Sequence, residues 1–374
     1  MRKVWAVAVK ELKQARRDPL TLLMLLGVPA MMLLLYGYAL NFDVRHVPLA
    51  VLDRSRSAAS RQLVESFTAS QYFDRVADLA PGADYGALFE RRRARAVLVI
   101  PEDYASRLAA GRIAPVQMVL DGADANTATT VLGYAQGLVD GTNVTLVAAA
   151  LRRTGLDVTV PVAFESRVWY NPELKSTNFL VPGLVGFILM ITAVLSTALA
   201  IVREKERGTM EQLRVTALRP GELIAGKTLP YLGISLAATA IILVAARALF
   251  GVAVQGSYVD FFLATLVYLV GALGMGLFVS TVAETQAQAF QIGAVLSMLP
   301  AIFLSGFIFP IRSMPPVLQA ITHVVPARYF LIIARGVILK GAGLAPYAQD
   351  LGFLALFALA VNGIAYARLT RREV

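Results

Sequence analysis

Apolar positions in this chain gather into six unbroken runs, at residues 20–40, 179–202, 228–250, 261–282, 287–309 and 350–367. Each is near the roughly 20 residues a helix needs to cross the hydrocarbon layer. The pattern therefore predicts a mainly α membrane protein with six transmembrane helices. The first run follows a charged lead and has no small-residue cleavage site after it, so it reads as an uncleaved anchor. Between the first two runs the period changes. Residues 47–53, 94–101 and 115–121 are short apolar stretches that read as strands, whereas 57–68, 84–93, 102–110 and 125–153 carry helical spacing. Strands alternating with helices predict an α/β domain over 41–178, inserted between helices 1 and 2. The remaining divisions are an amphipathic helix at 1–19, the first span at 20–40, and a five-helix membrane domain at 179–374.

Charge sets the orientation, because Lys and Arg near span ends favour the cytoplasmic side. The lead carries Arg2, Lys3, Lys10, Lys13, Arg16 and Arg17, and the tail Arg368, Arg371 and Arg372. The segment between spans two and three carries Arg203, Lys205, Arg207, Arg214, Arg219 and Lys227. Six spans put all three on one side, which makes both termini cytoplasmic and the 41–178 domain extracytoplasmic. Residues 311–349, with Arg312, Arg328, Arg335 and Lys340, then lie outside as a hairpin. Its apolar piece 329–339 is expected to dip back into the membrane. A seventh span there is the competing topology, but it would export the basic tail.

Composition agrees: 57% of residues are hydrophobic and only 16% charged, against roughly 25% charged in soluble domains. The net charge of +10 is not a nucleic-acid footprint. Residues 41–178 hold equal numbers of basic and acidic side chains, so the excess lies beside the spans, where anionic headgroups are the natural partner. There is no cysteine, and His46 and His323 are far apart in sequence, so neither a disulfide framework nor a metal site is expected. The run Arg91-Arg92-Arg93 with Arg95 reads as a solvated helix end.

Two segments carry candidate chemistry. Gly221-Glu222-Leu223-Ile224-Ala225-Gly226-Lys227-Thr228 fits the phosphate-loop pattern G-x-x-x-x-G-K-[ST]. A working phosphate loop follows a buried strand and opens a soluble helix, whereas this one opens a membrane span. The structural reading is that Gly226 permits close packing and Lys227 snorkels to the cytoplasmic interface. The second segment is Arg203-Glu204-Lys205-Glu206-Arg207-Gly208-Thr209-Met210-Glu211, wedged between two spans. Each charge buried at mid-bilayer costs ~2.5–3.5 kcal/mol on the lenient scale, so the segment belongs at the water boundary. A short amphipathic helix there would receive a push from a soluble partner and pass it to two spans. The plainer alternative is a solvated loop that only fixes topology.

Glu204–Leu213, followed by Thr216, Pro220, Glu222 and Gly226-Lys227, resembles the signature of the type-2 ABC exporter permeases. The resemblance covers nearly the whole chain: Lys10-Glu11-Leu12 with Arg16-Arg17-Asp18-Pro19, Trp169-Tyr170-Asn171-Pro172, Phe179–Gly183, Leu304–Pro310 and Pro326–Tyr329 follow in the family's order. The large segment after the first span is similar to that of the bacterial drug- and multidrug-type members. The resemblance implies a permease subunit of the bacterial inner membrane, not itself an enzyme. It would pair with a second permease as a homo- or heterodimer and be driven by a separate ABC ATPase subunit that holds ATP and Mg. It also implies ATPase-coupling roles for Glu204, Glu206, Gly208, Thr209, Glu211 and Leu213. A docking wall would come from Lys10, Glu11, Arg16, Arg17 and Asp18. Spans one, two and five would line the dimer pathway, and the outer domain would cap the exit or engage a periplasmic adaptor. The cargo would be a drug or other amphipathic compound. A non-transporting scaffold or receptor acting through the outer domain stays open at this stage.

Overall fold

The computed structural model describes residues 2–17, 23–39, 44–153, 169–172, 175–208 and 220–371. They divide into two compact units, one of residues 42–166 and one formed by the remainder.

The smaller unit is α/β. Its four strands, β1 (Val47–Asp53), β2 (Phe73–Asp78), β3 (Ala96–Ile100) and β4 (Gln117–Leu120), lie in the order β2-β1-β3-β4. β1 runs parallel to β2 and β3, and β4 is antiparallel to β3. β1 alternates its side chains between two apolar layers. Val47, Leu49 and Val51 meet Leu63, Val64 and Phe67 of one helix and Val131 and Ala135 of another, whereas Ala50 packs with Val97 on the opposite face. Ser57 starts the first of those helices (Ala58–Thr68) with a reciprocal capping box to Ser60. The sequence pattern misses β2. Only Phe73 of Phe73–Asp78 is fully buried, and the charged remainder gives no apolar alternation because β2 is an edge strand. Arg91, Arg92, Arg93 and Arg95 are exposed, as a solvated helix end should be.

In the larger unit, α1 is Arg2–Arg17 and α2 is Val28–Ala39, which a π-helical turn at Leu23–Gly27 precedes. The seven α-helices that follow the α/β unit's long final helix (Ala125–Arg153) are numbered onward from it. With the smaller unit's helices Ala58–Thr68, Tyr85–Glu90, Tyr104–Ala109 and Ala125–Arg153 taken as α3 to α6, these are α7 (Ser176–Glu206), α8 (Pro220–Phe250), α9 (Tyr258–Val282), α10 (Gln286–Leu299), the short α11 (Pro316–Ile321), α12 (Pro326–Lys340) and α13 (Ala348–Arg371). Among the described residues, five helices are long and apolar enough to cross a membrane: Ser176–Glu206, Gly221–Phe250, Tyr258–Val282, Gln286–Leu304 and Ala345–Thr370. The first predicted span is described from Leu23 onward, as the π turn and the shorter apolar helix.

α7 is the hub of this unit and packs against α2, α8, α9, α10 and α12. Small residues let it do so, as lipid offers helices no hydrophobic incentive to associate. At Gly276 of α9 a Cβ would fall 2.5 Å from the Val194 carbonyl oxygen. Asn362 of α13 donates to the Val270 carbonyl of α9 at 3.1 Å, an interhelical hydrogen bond inside the membrane domain. α10 passes into a π turn at Pro300–Leu304, and the chain breaks at Gly306 (φ +80°). The hairpin that follows bends by 83° between Pro316–Val324 and Pro326–Lys340. Arg335 of α12 donates to the freed carbonyls of Gly306 and Phe307 at 3.0 and 3.3 Å, and its guanidinium lies 3.8 Å from the Phe179 ring centroid.

Candidate functional junction

The sequence of α1 gives it three faces. Val7, Ala8 and Glu11 are buried, Trp5 and Leu12 are apolar yet exposed, and Lys10, Lys13 and Arg17 form a basic stripe. The buried face lies on the start of α8. Gly226 makes that approach possible, for a Cβ there would meet Val7 Cβ at 2.7 Å and the Val4 carbonyl oxygen at 3.0 Å.

An acid on the apolar face of a basic helix needs a cation to meet it. Glu11 finds Lys227 of α8, whose Nζ is 3.4 Å from Glu11 Oε1. Lys227 also pairs with Glu204 Oε2 near the end of α7. Lys10 closes the set, 2.8 Å from Glu204 Oε1 and 3.4 Å from Glu11 Oε1. Glu11, Glu204 and Lys227 are only 4%, 7% and 3% exposed. Two acids and two bases thus form a neutral quartet joining three helices. Burial opposes the charge on Lys10, but its hydrogen bond and attraction to Glu204 and Glu11 outweigh that, and its pKa rises above the ordinary lysine value.

This geometry corrects two expectations. Lys227 does not snorkel to water; it is buried between two carboxylates. The residues 203–206 are not part of a separate surface helix; they form the last turn of α7, which ends at Glu206 just before Gly208 with φ +67°. The phosphate-loop pattern is accounted for as well, since 220–228 are helical and open α8 without a loop to wrap a phosphate.

Each charged residue of that last turn serves a different neighbour. Lys205 donates to the carbonyls of Ser280 and, at 3.4 Å, Ala283, where the negative end of α9 lies. Glu206 accepts from the backbone N–H of Gln286 at 2.6 Å and from its side-chain amide, so a carboxylate sits on the positive end of α10. Arg203 donates to Gln286 Oε1 at 3.4 Å. Gln286 gave no signal in the sequence, as a glutamine opening an apolar run reads only as a boundary residue. Beside this turn, Lys10, Lys13, Arg17, Arg203 and Arg207 line a basic cavity of about 650 Å³. Of the residues expected to act here, Lys10, Glu11 and Glu204 come together, whereas Glu206, two residues beyond Glu204, bonds Gln286 instead. Arg16 and Arg17 are exposed at the end of α1. Asp18, Thr209, Glu211 and Leu213 lie outside the described residues. Among the described residues, no group of three or more His, Asp or Glu side chains is placed to hold a metal ion.

Residues 19–367 match the family described as ABC-2 family transporter protein. The chain belongs to the ABC-2 transporter family. It is 33% identical over 373 residues to the "Probable multidrug ABC transporter permease YbhS" of Escherichia coli K12, covering 99% of this chain and 97% of that one. A second E. coli K12 relative, the "Probable multidrug ABC transporter permease YbhR", is 29% identical with 99% of each chain covered. The "Linearmycin resistance permease protein LnrN" of Bacillus subtilis is 20% identical over 96% of this chain and 97% of its own length. The ABC-2 match and the apolar helices together make this a multi-pass membrane permease.

Proposed function

We infer that this chain is the transmembrane subunit of an ATP-driven exporter, that it works as a dimer with a second permease, and that a separate ATPase drives it. ATP and Mg belong to that partner. α1 and the α7–α8 connection face the cytoplasm and receive the ATPase, so both termini are cytoplasmic and the α/β unit is extracytoplasmic, where it caps the exit or engages an adaptor. The cargo is a drug or another amphipathic compound, in keeping with the multidrug permeases it resembles.

The observation that carries this reading is the buried quartet. A push on α1 cannot be absorbed locally, because Lys10 and Glu11 are paired to two spans at once. Pulling Lys227 away from Glu11 and Glu204, the three buried members, would strand charge in a low-dielectric junction. Removing one partner of a buried pair costs about 3–5 kcal/mol, enough to keep α1, α7 and α8 together through a cycle of conformational change. Lys13, Arg17 and Arg207 offer the ATPase a cationic surface, so the complementary patch on that subunit is acidic.

The test is reconstitution with the cognate ATPase. Glu204→Gln and Glu206→Ala are expected to leave the permease inserted and ATPase activity present while export falls at least roughly tenfold, the loss of about 1.4 kcal/mol of coupling. Export at wild-type rates by both variants would refute the reading.

A further inference from the structure

Arg247 and Lys227 are twenty residues apart on α8. At 1.5 Å per residue this is about 30 Å, the thickness of the hydrocarbon layer. The two cations therefore mark opposite membrane faces: Lys227 sits beside α1, and Arg247 emerges at the far side. Lys227 is neutralised by two carboxylates. Arg247 is exposed and makes no ion pair or side-chain hydrogen bond with any described residue. Asp260, in the first turn of α9, is directed elsewhere, close to Gly343.

Arg247 stands at the head of a groove between α8 and α9. Leu243, Val244, Tyr258 and Phe262 line its upper part, a cavity of about 540 Å³. Tyr258 and Phe262 continue into a second, almost wholly apolar cavity of about 380 Å³ that reaches Leu236 and Leu266. From Arg247 to Leu236 is eleven residues, or about 16 Å along the helix, which equals the hydrocarbon depth of one leaflet. The groove is preformed. The α8–α9 loop that roofs it is clipped to the end of α12 by Gln255 N–H to the Ile338 carbonyl and Gly256 N–H to the Val337 carbonyl, both at 3.0 Å. A side chain at Gly256 would break the clip, since a Cβ there falls 2.9 Å from the Val337 oxygen.

We propose that this groove is a binding site for one anionic phospholipid of the leaflet opposite α1, its phosphate on Arg247 and its acyl chain laid between α8 and α9 down to Leu236 and Leu266. The Tyr258 ring lies at the headgroup level, where aromatic residues are favoured. The cation selects against zwitterionic lipids, whose own ammonium already balances the phosphate. A second copy of this chain fits less well, because its helix would bury Arg247 without a counter-ion. The site needs only that α8 and α9 cross the membrane, so it stands or falls apart from the coupling reading.

Native mass spectrometry of the full chain in mild detergent tests it, with phosphatidylglycerol and phosphatidylethanolamine as probes. Wild type is expected to retain one phosphatidylglycerol in preference to phosphatidylethanolamine. Arg247→Gln should weaken that retention roughly fivefold, the effect of one basic residue near a membrane surface. Arg247→Lys should restore most of it, and Arg312→Gln, whose charge lies outside the groove, should leave it unchanged. Ala240→Phe, which fills the groove and keeps the charge, should lose the lipid while melting at the wild-type temperature. Equal retention by wild type, Arg247→Gln and Ala240→Phe overturns the proposal. So does a disulfide-linked dimer of Ala240→Cys, which would show the face covered by another copy.

Discussion

The buried quartet gives Lys227 an unusual weight for a single side chain. Lys227→Met keeps the length of the side chain but leaves Glu11 and Glu204 facing each other, and destabilisation of about 3–5 kcal/mol is expected. Thermal unfolding in detergent measures this; the double variant Glu11→Gln with Lys227→Met should recover much of the loss. Gly226→Leu tests the neighbouring contact. It should push α1 off α8 by steric conflict with Val7, seen as a shift in Trp5 fluorescence once Trp169 is replaced by Phe. The same probe reads pH. Lys10 has its pKa raised by the fold, so its contribution is complete below the unfolded value of 10.5 and fades only as pH climbs through the higher folded value. Trp5 emission should therefore stay constant across neutral pH and change only in strong alkali. Glu11 was legible only as a member of the expected docking wall, and its burial against a cation was not. Which cation it meets was not legible, because Lys227 lies 216 positions further along the chain and nothing between them signals the pairing.

At the scale of elements, long apolar runs were read well and their ends were not. Hydropathy stops at Val202, yet α7 continues through Glu206 because Lys205 and Glu206 satisfy the ends of α9 and α10 and the helix is held by its neighbours. α8 likewise begins at Pro220, well before the apolar run, with proline at the position where its missing N–H costs nothing. Conversely, the fifth run extends to Phe309 in sequence, but the helix breaks earlier, since Gly306 adopts a left-handed conformation. Strands β1, β3 and β4 were visible as short β-branched stretches, whereas β2, exposed along one edge, lacked any burial to record. The small unit has its own core around Phe67 and Phe73, whose rings lie 5.3 Å apart. Residues 42–166 expressed alone should fold cooperatively, and Phe67→Ala should cost about 3–5 kcal/mol in urea denaturation followed by circular dichroism.

Taken whole, the molecule concentrates its unusual charges where helices end. One membrane face carries the quartet and the basic cavity beside α1. The other carries Arg335 against opened backbone carbonyls and Arg247, which has no ion-pair or side-chain hydrogen-bond partner among the described residues. The family was legible because its motif residues lie at span boundaries, where hydropathy and charge change together. The groove beside Arg247 was not, since a cation near a span end reads as ordinary snorkelling until helix packing reveals the space below it.

The neutral quartet also dictates an order of assembly. The ribosome makes Lys10 and Glu11 first, Glu204 much later and Lys227 last of all. Until that final lysine emerges, the three earlier residues carry one surplus negative charge and have reason to stay wet. The helix that bears Lys10 and Glu11 can thus take its final seat only after the start of α8, 216 positions beyond Glu11, has left the exit tunnel.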